Sequence, residues 1–147
     1  MTLDRKLKIT LLVVALIGLI DSLYLTWIKL SHNEAVCLPG VGNCETVNSS
    51  RYATFYGIPI ALLGVGAYAT ILLVVYLEQR GGFWAEYGRM IVFGLGLIGV
   101  LYSAFLTYIE FFVLHAICPF CVISAIAVLS IFILNLLRLI FSTTGAK

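Results

Sequence analysis

Charge is the scarcest property of this sequence: 11% of its 147 residues are charged, against 62% that are hydrophobic. A soluble domain carries about 45–50% apolar and roughly 25% charged residues, so the shortfall excludes an ordinary water-solvated globular core. Lipid is the solvent this composition fits, and a mean hydropathy of +1.09 agrees. There is no basic stripe and no nucleic-acid motif, and a net charge of +2 is too small to direct the chain to nucleic acid. Low-complexity tracts and long linkers are missing as well, which leaves a single domain over residues 1–147.

What is present is long apolar runs. A helix needs roughly 20 mostly apolar residues to cross about 30 Å of hydrocarbon. Four segments qualify, at about residues 7–30, 58–77, 90–114 and 121–141, and they predict an all-α polytopic membrane four-helix bundle. Arg5, Lys6 and Lys8 precede the first run, as in a secretory signal peptide. The run is too long for one and no small-residue cleavage site follows, so an uncleaved first span is expected. Basic residues near short loops favour the cytoplasm. With the N-terminus inside, Arg5, Lys6, Lys8, Arg80, Arg89, Arg138 and Lys147 are cytoplasmic, and only Lys29 and Arg51 lie outside. Both termini and the loop 78–89 are therefore expected in the cytoplasm, with the long loop 31–57 and the connection near 115–120 facing outward.

No cysteine falls on the inner side. Cys37 and Cys44 lie in the long outer loop with six residues between them, and Cys118 and Cys121 form C-P-F-C where the fourth span begins. Disulfides persist outside the cytosol and are rare within it, so the distribution suits thiol–disulfide chemistry. Pro119 has no N–H to lose at a first helical position, which makes Cys118 the expected cap and Pro119 the first helical residue. Cys121 then falls in the first turn, where free N–H groups and the positive end of the dipole favour a thiolate. Two structural disulfides, or a four-cysteine zinc site, would use the same residues. Zinc sites usually show two short spacings inside a hydrophilic ribbon, and neither is seen; no metal is expected.

The sequence also repeats. At an offset of 81 residues, I-G-L-I-D-S-L-Y-L-T-W-I-K (17–29) lies over I-G-V-L-Y-S-A-F-L-T-Y-I-E (98–110). Gly18/Gly99, Ser22/Ser103, Leu25/Leu106, Thr26/Thr107 and Ile28/Ile109 are identical, and the same offset sets Cys37 on Cys118. Lys29 and Glu110 then share one depth near the outer interface. Charges in a span face a partner or a cavity, so the two are expected to pair, or Glu110 to line a pocket. Asp21 lies deeper and should face the bundle interior.

C-x6-C followed by S-S-R-Y and F-Y-G-I-P, then L-T-Y-I-E-F-F-V-L-H-A-I-C-P-F-C, resembles the prokaryotic branch of the vitamin K epoxide reductase family over about residues 17–125. The resemblance implies a four-helix bundle around a quinone pocket, capped by the outer loop. A thioredoxin-like partner passes electrons to the loop pair, which relays them to the C-x-x-C and on to quinone. Carried over by position, Cys44 meets the partner dithiol, Cys37 relays to Cys118, and Cys121 faces the quinone. Ser50 matches a Ser/Thr near the pocket, though a local turn bond to backbone would also suit it. Tyr56, Leu106, Glu110 and Phe120 match pocket-lining positions, which plain packing would also explain. The chain departs from the animal enzymes at Ala53 and Ala125, where those carry an Asn and a Tyr, and this argues against epoxide reduction. Residues 141–147 leave no room for a fused thioredoxin-like domain.

The expectation is therefore a plasma-membrane thiol–quinone oxidoreductase that supports disulfide formation in extracytoplasmic proteins. Ubiquinone or menaquinone is the expected co-substrate, and a separate extracytoplasmic thioredoxin-like (DsbA-like) protein the electron donor. Three other readings stand beside it. One is vitamin K quinone or epoxide reductase activity. Another is the unrelated four-span disulfide oxidase, whose C-x-x-C comes in the first outer loop, the reverse of the order here. The third is a non-enzymatic membrane protein, such as a small transporter or scaffold braced by structural disulfides.

Overall fold

The computed structural model describes residues 2–31 and 42–145. Its long helices are α1 (Thr2–Ser31), α3 (Ile60–Leu77), α4 (Phe83–Ile109) and α5 (Pro119–Thr144). Each is long and apolar enough to cross a membrane, and the chain is an all-α polytopic membrane protein. Hydrocarbon offers no hydrogen bonds, so a spanning segment must satisfy its backbone internally, as helices do. Between α1 and α3 lie the short helix α2 (Cys44–Ser49), a 3-10 turn (Arg51–Ala53) and the two-residue strands β1 (Thr54–Phe55) and β2 (Ile58–Pro59), paired antiparallel. Tyr56 and Gly57 make the tip of this hairpin with φ of 50° and 84°. A tight hairpin turn asks for positive φ at both central positions, which glycine meets without strain and tyrosine does not.

Helix ends depart from the hydropathy reading in a consistent way. Helices α1 and α4 begin at Thr2 and Phe83 rather than near 7 and 90, because a helix continues beyond the apolar run into the polar interface. Asp4 and Glu86 sit in those first turns, where the dipole favours a carboxylate. The expected loop 78–89 contracts accordingly. After a 3-10 turn at Glu78–Arg80, only Gly81 and Gly82 remain, with φ of 79° and 65°. At the other end, α5 begins at Pro119 with Cys118 as its cap.

Helix α1 packs against α3 and α5, and α4 against α5 and α3, so α1 and α4 stand diagonally across the bundle. The repeat is visible in this arrangement. Gly18 of α1 abuts the Tyr68 ring of α3, and Gly99 of α4 abuts the Val128 side chain of α5. Thr26 donates to the Ser22 carbonyl at 2.7 Å, and Thr107 to the Ser103 carbonyl at 2.9 Å. Lipid supplies no hydrophobic drive between helices, so close backbone approach at small residues carries much of their association.

The core centres on Leu11, Ala15, Ile71, Val75, Val92 and Ile131. Beneath it, at the end of the bundle that carries both chain termini, sits a charged cluster. Arg138 is 1% exposed and donates to Glu78 at 2.7 Å and to Asp4 at 3.1 Å. Lys8 joins Glu78 at 3.8 Å, and Asn135 donates to the Arg89 carbonyl at 2.8 Å. Sequence reading treats Arg138 as a marker of the wet side; the structure makes it the ion-paired hub that joins α1, α5 and the 3-10 turn after α3.

Candidate active site

At the opposite end of the bundle the chain turns sharply to deliver C-P-F-C. Helix α4 widens into a single π-helical stretch, Glu110–Leu114, in which the Ala116 N–H reaches back to the Glu110 carbonyl at 3.1 Å. His115 follows in the left-handed region, with φ of 49°. Wide turns of this kind recur at functional sites, and a non-glycine residue held at positive φ is backbone strain that the surroundings must sustain. The result lifts Ala116 and Ile117 off the helix axis and sets Cys118 at the start of α5.

The two sulfurs of the motif face different surroundings. Cys118 is fully buried in a cluster with Cys44, Val47 and Ala116. Its Sγ accepts the Cys121 N–H at 3.4 Å. The helix terminus thus serves the capping sulfur, not the first-turn sulfur that the sequence reading favours. A hydrogen bond from the Cys121 thiol, backed by that N–H, holds the Cys118 thiol below its ordinary range against the cost of burial. Cys121 instead lines a cavity of about 430 Å³ in the bundle. Cys118 and Cys121 are free thiols, while Cys44 is disulfide-bonded. Cys37 lies outside the described residues.

Short α2 roofs this arrangement. Asn43 donates its N–H to the Ile117 carbonyl at 3.0 Å. Gly42, at φ 84°, passes so close that a methyl group there would land on the Ile117 carbonyl and the Pro119 ring. From the other side, the Lys29 amine of α1 donates to the Asn48 carbonyl of α2. Lys29 therefore does not pair with Glu110. The Glu110 carboxylate accepts the Cys118 N–H at 3.4 Å and lines the cavity beside Cys121, which is the pocket-lining alternative.

The cavity walls are mostly apolar, with a few polar groups. Ser50, Leu106 and Glu110 line it together with Cys121, while Tyr56 and Phe120 do not. Tyr56 is 92% exposed at the hairpin tip, and Phe120 packs on Tyr24 with ring centroids 4.9 Å apart. Ser50 donates its hydroxyl to the Val47 carbonyl at 2.7 Å, so toward the cavity it offers lone pairs, not a proton. The repeat recurs here, since Ser22 and Ser103, and Leu25 and Leu106, all line the space. Sequence reading did not single out Tyr68 or Ser124. Tyr68 donates to the Ser124 carbonyl at 2.9 Å, and both residues line the wall. A tyrosine inside an apolar run gives no local signal of that role. Asp21 is buried, and its Oδ2 has no hydrogen-bond partner among the described residues.

The model of the vitamin K epoxide reductase family matches residues 9–136, which takes in all four spans and the C-P-F-C. The chain belongs to the vitamin K epoxide reductase family. It is also similar to a thiol-disulfide oxidoreductase of Arabidopsis thaliana, LTO1, at 30% identity over 122 residues. That match covers 80% of this chain and 32% of the plant protein, so the chain spans about a third of its relative's length. The cavity's size and mostly apolar lining are those of a small-molecule site. Small-molecule sites typically enclose about 300–1,000 Å³ of mainly apolar wall with a few placed polar groups, and this one adds a redox-capable sulfur.

Proposed function

We propose that this protein is a membrane thiol–quinone oxidoreductase that draws electrons from an extracytoplasmic thioredoxin-like protein and supports disulfide formation there. One observation carries the reading: the C-x-x-C divides its sulfurs, with Cys118 sealed against Cys44 and Cys121 on the cavity wall. In this scheme Cys37 and Cys44 form the loop disulfide, and the partner's thiolate attacks Cys44. Released Cys37 then attacks Cys118, since exchange runs thiolate onto disulfide, and Cys121 is the sulfur that leaves toward the cavity. A quinone held there supplies a two-electron, two-proton sink. Leu106 and the apolar wall hold it, and Ser50 offers an acceptor to a ring hydroxyl. Ubiquinone and menaquinone both fit an apolar chamber of this size, and Ala53 on its wall brings no polar contact for an epoxide.

The proposed setting is the plasma membrane, with both termini cytoplasmic and the cysteine pairs outside. Its support is the bias of basic residues toward the end opposite the cysteines. The donor is proposed to be a separate protein. The deciding experiment supplies purified protein with a reduced thioredoxin-like protein and follows quinone absorbance. Turnover in the wild type, abolished by Cys118→Ala or Cys121→Ala, is the expected result. Full turnover in either variant would refute the relay.

A further inference from the structure

Glu110 is a carboxylate in a membrane-spanning helix, 4% exposed, and no ion pair reaches it among the described residues. A charge at such depth is costly unless it has a partner or a task. Lys29, which the repeat sets at the same depth, is committed to the Asn48 carbonyl. Among the described residues the carboxylate accepts the Cys118 N–H at 3.4 Å and shares the cavity wall with Cys121. The π-helical turn that starts at Glu110 ties its backbone carbonyl to Ala116, so the residue is fixed at both ends of its own side chain. The carboxylate also lines the cavity that Cys121 lines.

The chemistry at this place calls for a base. The Cys121 N–H at the helix terminus caps the Cys118 sulfur at 3.4 Å, which favours the thiolate there and leaves the proton of the pair on Cys121. Yet Cys121, not Cys118, borders the cavity, and a sulfur must shed its proton to give up an electron pair. We propose that Glu110 is the acid–base residue of the reaction, taking the Cys121 proton and passing it into the cavity.

The inference rests on the cavity being the quinone site. In the step, the Cys121 S–H bond breaks and an O–H bond forms on the Glu110 carboxylate, which leaves a thiolate beside it. As the Cys118–Cys121 bond forms, two electrons pass to the quinone. Glu110 releases its proton to a reduced ring oxygen and returns to carboxylate. Solvent supplies the second proton, matching the one already lost from Cys118. The other titratable groups around Glu110 are placed for other duties. Tyr52, Tyr68 and Tyr102 lie on the same cavity wall, Tyr68 bonded to Ser124. Cys44 on α2 is in a disulfide, and Asp21 on α1 lies beside Tyr68.

The test uses the full chain with Glu110→Gln and Glu110→Asp. Glutamine keeps an oxygen for the Cys118 N–H but cannot take a proton. Single-turnover quinone reduction by the prereduced protein should fall by about 100-fold or more in the Gln variant, and it should climb with pH as hydroxide replaces the missing base. The Asp variant should recover part of the rate with the wild-type pH profile. A fall in the Gln variant with an unchanged pH profile would mean a structural role and overturn the proposal. A second readout needs no quinone. The infrared carboxyl band should change between the dithiol and disulfide forms of the C-x-x-C, and Glu110→Gln should remove the change. A band indifferent to the redox state overturns the proposal. A responsive band in a wild type that reduces no quinone upholds proton exchange between Glu110 and Cys121 and instead sinks the choice of acceptor.

Discussion

At the residue scale, the two thiols three positions apart differ because only one sits at the helix cap. The Cys118 thiol, held below its ordinary value of 9.0 by the bonds from Cys121, keeps its thiolate to lower pH than a thiol in the unfolded chain. As pH falls, the ultraviolet thiolate absorbance contributed by Cys118 in the prereduced protein should fade at lower pH than that of a cysteine in denatured protein. The absorbance difference between wild type and Cys118→Ser across a pH series measures this, and coincident curves would contradict it. Ser50 yields a smaller effect. Its proton is engaged with Val47, so Ser50→Ala removes one acceptor worth about 1 kcal/mol, seen as a several-fold rise in KM for quinone with little change in kcat. The sequence made the cysteines legible because sulfur spacing and a proline at the first helical position are local facts. It could not reveal that Cys118 takes the terminal N–H. That depends on the cap's backbone, with φ −100° and ψ 112°, which sequence spacing leaves open.

At the element scale, α2 sits over C-P-F-C, held by the Lys29 bond to Asn48 and by a close approach at Gly42. Gly42 lies against the Ile117 carbonyl and Pro119, and Asn43 hydrogen-bonds the same carbonyl. Gly42→Ala should push α2 away from C-P-F-C, because the added methyl meets backbone and the positive φ suits only glycine. Transfer between the cysteine pairs should slow at least tenfold, roughly the effect of 1.4 kcal/mol on the barrier. Quinone reduction by protein already reduced at Cys118 and Cys121 should hold near the wild-type rate. Stopped-flow measurement of the two half-reactions separates these outcomes. Apolar runs disclosed the four spans, since period and length are written in the residues. They did not disclose α2, the hairpin or the π-helical turn at Glu110. These elements are short and polar or strained, and tertiary contacts hold them more than local preference does. Lys29 and Glu110 illustrate the limit: the repeat gave them one depth, and their partners came from α2 and α5 instead.

At the scale of the molecule, the bundle is tied at both ends by different chemistry. The end carrying the termini is held by Arg138, with Glu78 and Asp4 as its partners. Removing one member of a buried ion pair leaves an uncompensated charge and costs about 3–5 kcal/mol. Arg138→Ala should therefore lower the unfolding midpoint in detergent markedly. Arg138→Met with Glu78→Gln, which removes both charges of the closer pair, should cost less than the single change. Equal losses would show that Lys8, 3.8 Å from Glu78, compensates the carboxylate once Arg138 is gone. Basic residues counted along the sequence identified this end but could not show that one of them forms its interior.

The burial of Cys118 against Cys44 bears on how such a protein stays coupled in a cell full of stray thiols. A sulfur with no exposed surface cannot be reached by small soluble reductants or by casual peroxide. In the proposed relay, electrons then enter through a protein large enough to engage α2 and leave through what the cavity holds. In that scheme the seal works as insulation around a wire, setting which donors are wired to the membrane pool and sparing that pool a short circuit.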